Sequence, residues 1–131
     1  MNQILAEITE IKTSDDLALV SLQCEGNIFS SLIIHQENSY VKTGNSVYMV
    51  FKETEVMIGK NNSFLSIRNR FSSVIKSIQK GKILSEIILN FKEHSITSII
   101  TTESCEQLSL SVGDEVDALV KTNDLMLIQY Q

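Results

Sequence analysis

The chain repeats itself. Ile4-Leu5-Ala6-Glu7-Ile8-Thr9-Glu10-Ile11 matches Phe71-Ser72-Ser73-Val74-Ile75-Lys76-Ser77-Ile78 in its apolar pattern. The same offset carries Val20-Ser21-Leu22 onto Ile87-Ile88-Leu89, and Phe29-Ser30-Ser31-Leu32-Ile33 onto Ile96-Thr97-Ser98-Ile99-Ile100. A two-residue shortening of the first copy then brings Gly44-Asn45-Ser46-Val47 onto Gly113-Asp114-Glu115-Val116, and Lys52 through Met57 onto Lys121 through Met126. The 131 residues are thus read as two copies, 1–60 and 66–131. Each copy, at about 60 residues, sits near the lower limit for burying an adequate core alone, so the copies must lean on each other or on a second chain.

Within each copy, short β-branched and partly alternating runs are broken by polar or glycine-bearing turns, as in Asp114-Glu115-Val116-Asp117-Ala118-Leu119-Val120-Lys121. The fold class is therefore mainly β, with each copy a small barrel or sandwich and at most one short helix. That helix is expected over 102–110, where Cys105 and Leu108 have helical spacing and Thr101 to Ser104 forms an imperfect capping pattern. Gly113 follows as a turn residue. Gly59-Lys60-Asn61-Asn62-Ser63 is polar and aperiodic, which suits a crossing between lobes.

Composition narrows the function. A net charge of −5, from 16 acidic and 11 basic side chains, repels a phosphate backbone except at a local basic patch, and 6% aromatic residues make a poor stacking surface. An OB-fold nucleic-acid binder is thus a weak rival, and no nucleic-acid partner is expected. No leader-like start and no run of 18 apolar residues is visible, so a cytoplasmic protein with no membrane partner is expected. Cys24 and Cys105 stand far apart without a CxxC partner, and His35 and His94 lie in separate turns, so no metal-cation ligands are assigned. Neither a GxGxxG nor a P-loop pattern occurs, and no nucleophile, base and oxyanion donors stand in catalytic spacing; the chain is not read as an enzyme.

Two stretches are chemically distinctive. Both arginines fall in Ser66-Ile67-Arg68-Asn69-Arg70. The guanidinium fork matches tetrahedral oxyanions, and serine hydroxyl, asparagine amide and main-chain N–H groups fill the remaining directions without adding charge. Thr101, Ser104 and Lys121 form the second set, a hydroxyl pair at a helix start and a lysine closing a strand. Both sets also have plain structural readings: solvated arginines beside a linker, a helix cap, and a lysine facing water.

Together, Ser66-Ile67-Arg68-Asn69, Thr101-Thr102-Glu103-Ser104 and Val112-Gly113-Asp114-Glu115-Val116-Asp117-Ala118-Leu119-Val120-Lys121-Thr122 closely resemble the Mop, or molybdenum-pterin-binding, domain of the TOBE group, in order and spacing. The resemblance spans nearly all of 66–128 and, through the repeat, makes the whole chain look like a di-Mop protein. It implies two tandem OB-like lobes, each a five-stranded antiparallel β-barrel, that bind molybdate or tungstate at interfaces between lobes or subunits, without a catalytic cofactor. The ligand positions it implies are Ser66, Arg68, Asn69, Thr101, Ser104, Lys121 and Thr122, all as hydrogen-bond donors. It further implies a homo-oligomer, a dimer or trimer, serving oxyanion storage or homeostasis, with a molybdate-sensing module acting through a transcription or transporter partner as the alternative.

The first copy departs from this pattern. Met1 stands at the place of Arg68, nothing precedes it to match Ser66, Ile34 falls on Thr101, and Gln36-Glu37-Asn38-Ser39 replaces the Ser104 segment. Only Asn2 and Lys52 survive, leaving Lys52 as a possible secondary oxyanion contact. Glu37 would repel a dianion, so the first copy is expected to serve as structure or as one wall of a shared site.

Overall fold

A computed structural model describes residues 1–35, 39–61 and 64–130. Ten strands run in chain order: β1 (Asn2–Ser14), β2 (Leu17–Cys24), β3 (Asn27–Ile34), β4 (Ser46–Phe51), β5 (Met57–Gly59), β6 (Asn69–Lys80), β7 (Leu84–Phe91), β8 (His94–Thr101), β9 (Glu115–Val120) and β10 (Met126–Gln129). Helix α1 (Thr102–Gln107) follows β8, and a 3-10 turn, Glu53–Glu55, follows β4. The helix is shorter than the two or three turns expected, because Ser109 adopts φ +50° and closes it.

The strands form two five-stranded antiparallel sheets, β10-β4-β1-β2-β3 and β5-β9-β6-β7-β8. The fold class read from the sequence is thus the observed one. The sheets do not coincide with segments 1–60 and 66–131, however. Strand β5, from the end of the first copy, pairs with β9 of the second, while β10, from the end of the second, pairs with β4 of the first. Each copy completes the other's sheet, which periodicity cannot reveal because a strand carries the same alternation whichever neighbour it joins.

The long first strand of each copy curls its sheet. The beginning of β1 pairs with β4 and its end with β2; β6 divides itself between β9 and β7 in the same way. A register shift interrupts each strand at the switch, between Ile8 and Glu10 and between Ile75 and Ser77, and such bulges bend and twist a strand. Gly44 and Gly113 sit opposite these bulges at φ +92° and +93°, donating to the carbonyls of Ile8 and Ile75 at 2.8 Å each. A side chain there would be strained, so glycine at this turn accounts for the match between the two copies.

Alternation makes the core. In β1, Ile4, Ala6 and Ile8 face inward while Gln3, Leu5 and Glu7 face out; Phe71, Ser73 and Ile75 repeat the pattern in β6. The two sheets share one hydrophobic cluster. At its centre Phe71 stacks on Phe29 and Phe51, with ring centroids 4.4 and 5.4 Å apart, and meets Phe91 edge-on at 5.2 Å. Two of these rings come from each sheet, and each buried ring contributes roughly 1.5–3 kcal/mol, so the apolar seam binds the lobes into one unit.

Candidate functional site

Paired asparagines organise the seam between the sheets. Asn69 opens β6 and is fully buried; its Nδ2 donates to the Ser30 carbonyl at 2.9 Å, and the Ser30 N–H donates to its Oδ1 at 2.7 Å. Asn2, its counterpart in β1, makes the same reciprocal pair with Thr97 in β8, at 2.9 and 2.8 Å. Two buried serines complete the pattern: Ser31 Oγ donates to the Leu125 carbonyl just before β10, and Ser98 Oγ to the Val56 carbonyl just before β5 at 2.8 Å. These bonds satisfy backbone groups of one sheet with side chains of the other, or pin an exchanged strand at its start.

Asn69, one of the expected oxyanion donors, spends its carboxamide on the opposite sheet. Both ends of its carboxamide hold the S-x-R-N segment to β3, and it positions that segment from inside the core. Ser66 and Arg68 precede it on the surface, both exposed. Asn69 pairs with Val120 in the β6–β9 ladder, so the residues just before Asn69 and just after Val120 leave the sheet side by side. Arg68 thus comes beside exposed Lys121, with half-buried Thr122 next along the chain and Ser66 two residues before Arg68. The Thr122 carbonyl accepts the Leu32 N–H at 3.0 Å, which places this group where the chain crosses from one sheet to the other. Arg70 turns to Asp117 at 4.0 Å, whereas Arg68 and Lys121 have no ion-pair partner among the described residues.

Thr101 and Ser104 lie elsewhere. Thr101 pairs with Leu84 at the far end of β8, and the length of β6 separates that end from Asn69 and Lys121. Lys121 therefore joins the arginine stretch and not the hydroxyl pair with which the sequence grouped it, because β9 runs antiparallel to β6 and delivers its last residue to the start of that strand. Thr101 caps α1: its Oγ1 accepts from the Ser104 N–H at 3.1 Å and donates to Ser104 Oγ at 2.8 Å. Thr102, which sequence reasoning passed over, is buried and docks the helix on the β6–β7 hairpin. Its hydroxyl donates to the Gly81 carbonyl and shares a hydrogen bond with Ser85, and its N–H donates to the Ile83 carbonyl, all at 2.8 Å. A Cβ on Gly81 would lie 2.5 Å from the Leu84 carbonyl oxygen, so this hairpin requires glycine.

Lys60, read as linker, is a second residue the sequence did not mark. Its ammonium meets the Leu108 and Ser109 carbonyls at 3.3 and 3.4 Å and Asp114 Oδ2 at 3.3 Å, capping the C-terminal end of α1. The Ser111 N–H and then this ammonium hold the Asp114 carboxyl below the ordinary range. A lysine following β5 at a distance of nearly fifty residues carries no sequence signal for that contact.

At the junction of the first copy, Lys52 is exposed at the end of β4 and Asn2 opens β1. The Met1 ammonium bonds Glu53 Oε2 at 3.1 Å. Glu37 falls outside the described residues. His35 and His94 are apart, His94 stacking on Phe91, and no group of three or more histidine, cysteine or acidic residues placed to hold a metal ion occurs among the described residues. Both cysteines are buried and free.

A pair of strand-exchanged, five-stranded antiparallel sheets, with cationic and hydroxyl side chains where the chain crosses between them, defines the class. The TOBE domain model matches residues 65–127. Molybdenum-pterin-binding protein 1 of Clostridium pasteurianum is 34% identical over 65 residues, 49% of this chain and 96% of that protein. The chain belongs to the TOBE domain family, in the di-Mop form that its internal repeat describes. Molybdenum transport protein ModE of Azotobacter vinelandii is 36% identical over 63 residues, which cover 47% of this chain and 23% of that protein. The solved structure of the cytoplasmic molybdate-binding protein ModG, with molybdate bound, superimposes with a TM-score of 0.90 over 97% of this chain and 94% of its own, at 22% identity, and so shares the fold.

Proposed function

We propose that this protein binds molybdate or tungstate reversibly, with Arg68, Lys121, Ser66 and Thr122 as donors at the junction between the sheets, and that it stores or buffers the oxyanion in the cytoplasm without catalysing a reaction. The observation that carries this reading is the Asn69–Val120 pairing, which delivers two cations with no ion-pair partner among the described residues to one place. Charge supplies affinity, and hydroxyl and main-chain N–H groups select for anion size. The family membership and the names of the relatives support the choice of anion. Asn69 acts as the positioning residue. Thr101 and Ser104, at the other end of the second sheet, belong to a separate contact completed by another chain.

Calorimetric titration with molybdate, tungstate and sulfate tests the reading. Molybdate and tungstate are expected to bind well below millimolar concentration and sulfate much more weakly; equal affinities for all three would remove the size argument.

The assembly is proposed to be a homodimer or homotrimer. Leu17, Ile34, Ile83 and Leu84 are exposed, apolar surface that association would cover. Anion shared between chains would tighten it by linkage. Sedimentation with and without molybdate reads this directly, and a monomer in both conditions that still binds the anion would refute the shared site alone. The match to the transport protein ModE supports a second reading, a sensing module that acts through a partner chain.

A further inference from the structure

The two junctions have the same skeleton and differ in charge. Asn2 and Asn69 make the same reciprocal bonds, to Thr97 and Ser30, which are themselves equivalent positions of the repeat. Lys52 corresponds to Lys121, and the Met1 amino group stands where the chain enters β1, the place that Arg68 takes before β6. Both junctions therefore retain two cations. The difference lies one residue past the lysine, where the second copy has the neutral Thr122 and the first has Glu53.

Glu53 does more there than add a charge. Its carboxylate already bonds the Met1 ammonium at 3.1 Å, and it rests in the 3-10 turn, whose geometry is closed by Glu55 accepting the Lys52 N–H at 2.9 Å. Its own backbone N–H and then that ammonium hold the carboxyl below the ordinary range, so it is an anion at neutral pH. An arriving dianion would meet a cation that is already neutralised and a carboxylate beside Lys52 that repels it.

We infer that Glu53 is an internal substitute for the oxyanion: its carboxylate occupies the cationic junction of the first copy and keeps that junction from binding molybdate. Resting on the proposed function, this makes Glu53 the residue that sets how many anions one chain takes up, and makes the first junction a latent site whose scaffold is intact. Glu53→Gln removes the charge and keeps the shape; Glu53→Thr restores the residue of the second copy.

Titration of the full-length protein with molybdate, alongside urea melts to verify folding, tests the inference. Both variants are expected to bind more molybdate per chain than the unaltered protein, with the affinity of the original site unchanged within about twofold. Adding Lys52→Ala to Glu53→Gln should weaken the new site by more than tenfold. Unaltered protein that binds molybdate while neither variant gains capacity would overturn the inference and leave the proposed function standing. Added capacity that survives Lys52→Ala would overturn the location. Failure of the unaltered protein and both variants to bind any molybdate would overturn the proposed function as well.

Discussion

The two junctions between the sheets were built from one plan and have diverged at their surfaces. Inside, they share two devices: an asparagine grips the backbone of the opposite sheet, and a serine pins the incoming exchanged strand. Outside, one presents Arg68, Lys121 and Thr122, and the other a lysine beside a carboxylate already paired with the Met1 ammonium. A buried hydrogen bond that loses its partner leaves an unsatisfied group, whereas an exposed charge can change at little cost to folding. The scaffold is therefore held and the chemistry is free to drift.

The severest way to break the comparison is to remove the core that both junctions share. Phe71→Ala is expected to destabilise the protein by about 3–5 kcal/mol, since its ring touches those of Phe29, Phe51 and Phe91. Phe64→Ala, at a ring that is 98% exposed, should leave the urea midpoint unchanged. Two midpoints moving together would mean that the seam is not where the stability resides.

Chemistry at the junctions should separate next. Lys121→Ala is expected to weaken molybdate binding by about 1.5–3 kcal/mol, the range for a hydrogen bond to a charged group, with little change in the melt. Lys52→Ala should weaken it less. A larger loss from Lys52 would assign the main site to the wrong junction.

The asparagines should then refuse to separate. Asn2→Ala and Asn69→Ala each leave a backbone N–H and a carbonyl of the facing sheet without their partner, and each is expected to cost about 1–3 kcal/mol in chemical denaturation. If Asn69→Ala abolished anion binding while leaving stability intact, its amide would be a ligand after all.

The smallest effect concerns acid. Because the Asp114 carboxyl lies below its ordinary range when folded, its contribution to stability is present above the unfolded value and is lost as the pH falls through the folded one. The first copy has the uncharged Asn45 at this place, bonded to the Tyr40 carbonyl at 3.0 Å. Asp114→Asn should therefore flatten the acid side of the stability curve slightly; an unchanged acid limb would show that the bonds from the Ser111 N–H and from Lys60 add nothing to folding.

Much of this was legible from residues. The strand class followed from alternation, Gly113 from the turn before β9, and the cap of α1 from Thr101 and Ser104. Arg68 and Lys121 were marked by residue type. Two placements needed the fold: Lys121, set with Thr101 and Ser104 in the sequence, leaves the sheet beside the arginine stretch, and Asn69, which the family resemblance puts among the ligand positions, is buried and bonded to β3. The second placement is a matter of burial. An amide within the core satisfies the backbone that surrounds it, and nothing in a string of letters distinguishes that amide from an exposed one.

The sequence by itself determined that two copies of one β unit would form, which positions face inward, and which side chains could meet an anion, since all three depend on local period and residue chemistry. Only the tertiary structure decided that β5 and β10 change places, that the asparagines tie each sheet to the other, and that Arg68 stands beside Lys121 while Glu53 meets the Met1 ammonium. The physical reason is that a strand's side-chain pattern specifies a face and not a neighbour. Partners are chosen by the bonds and packing available once both copies have folded together.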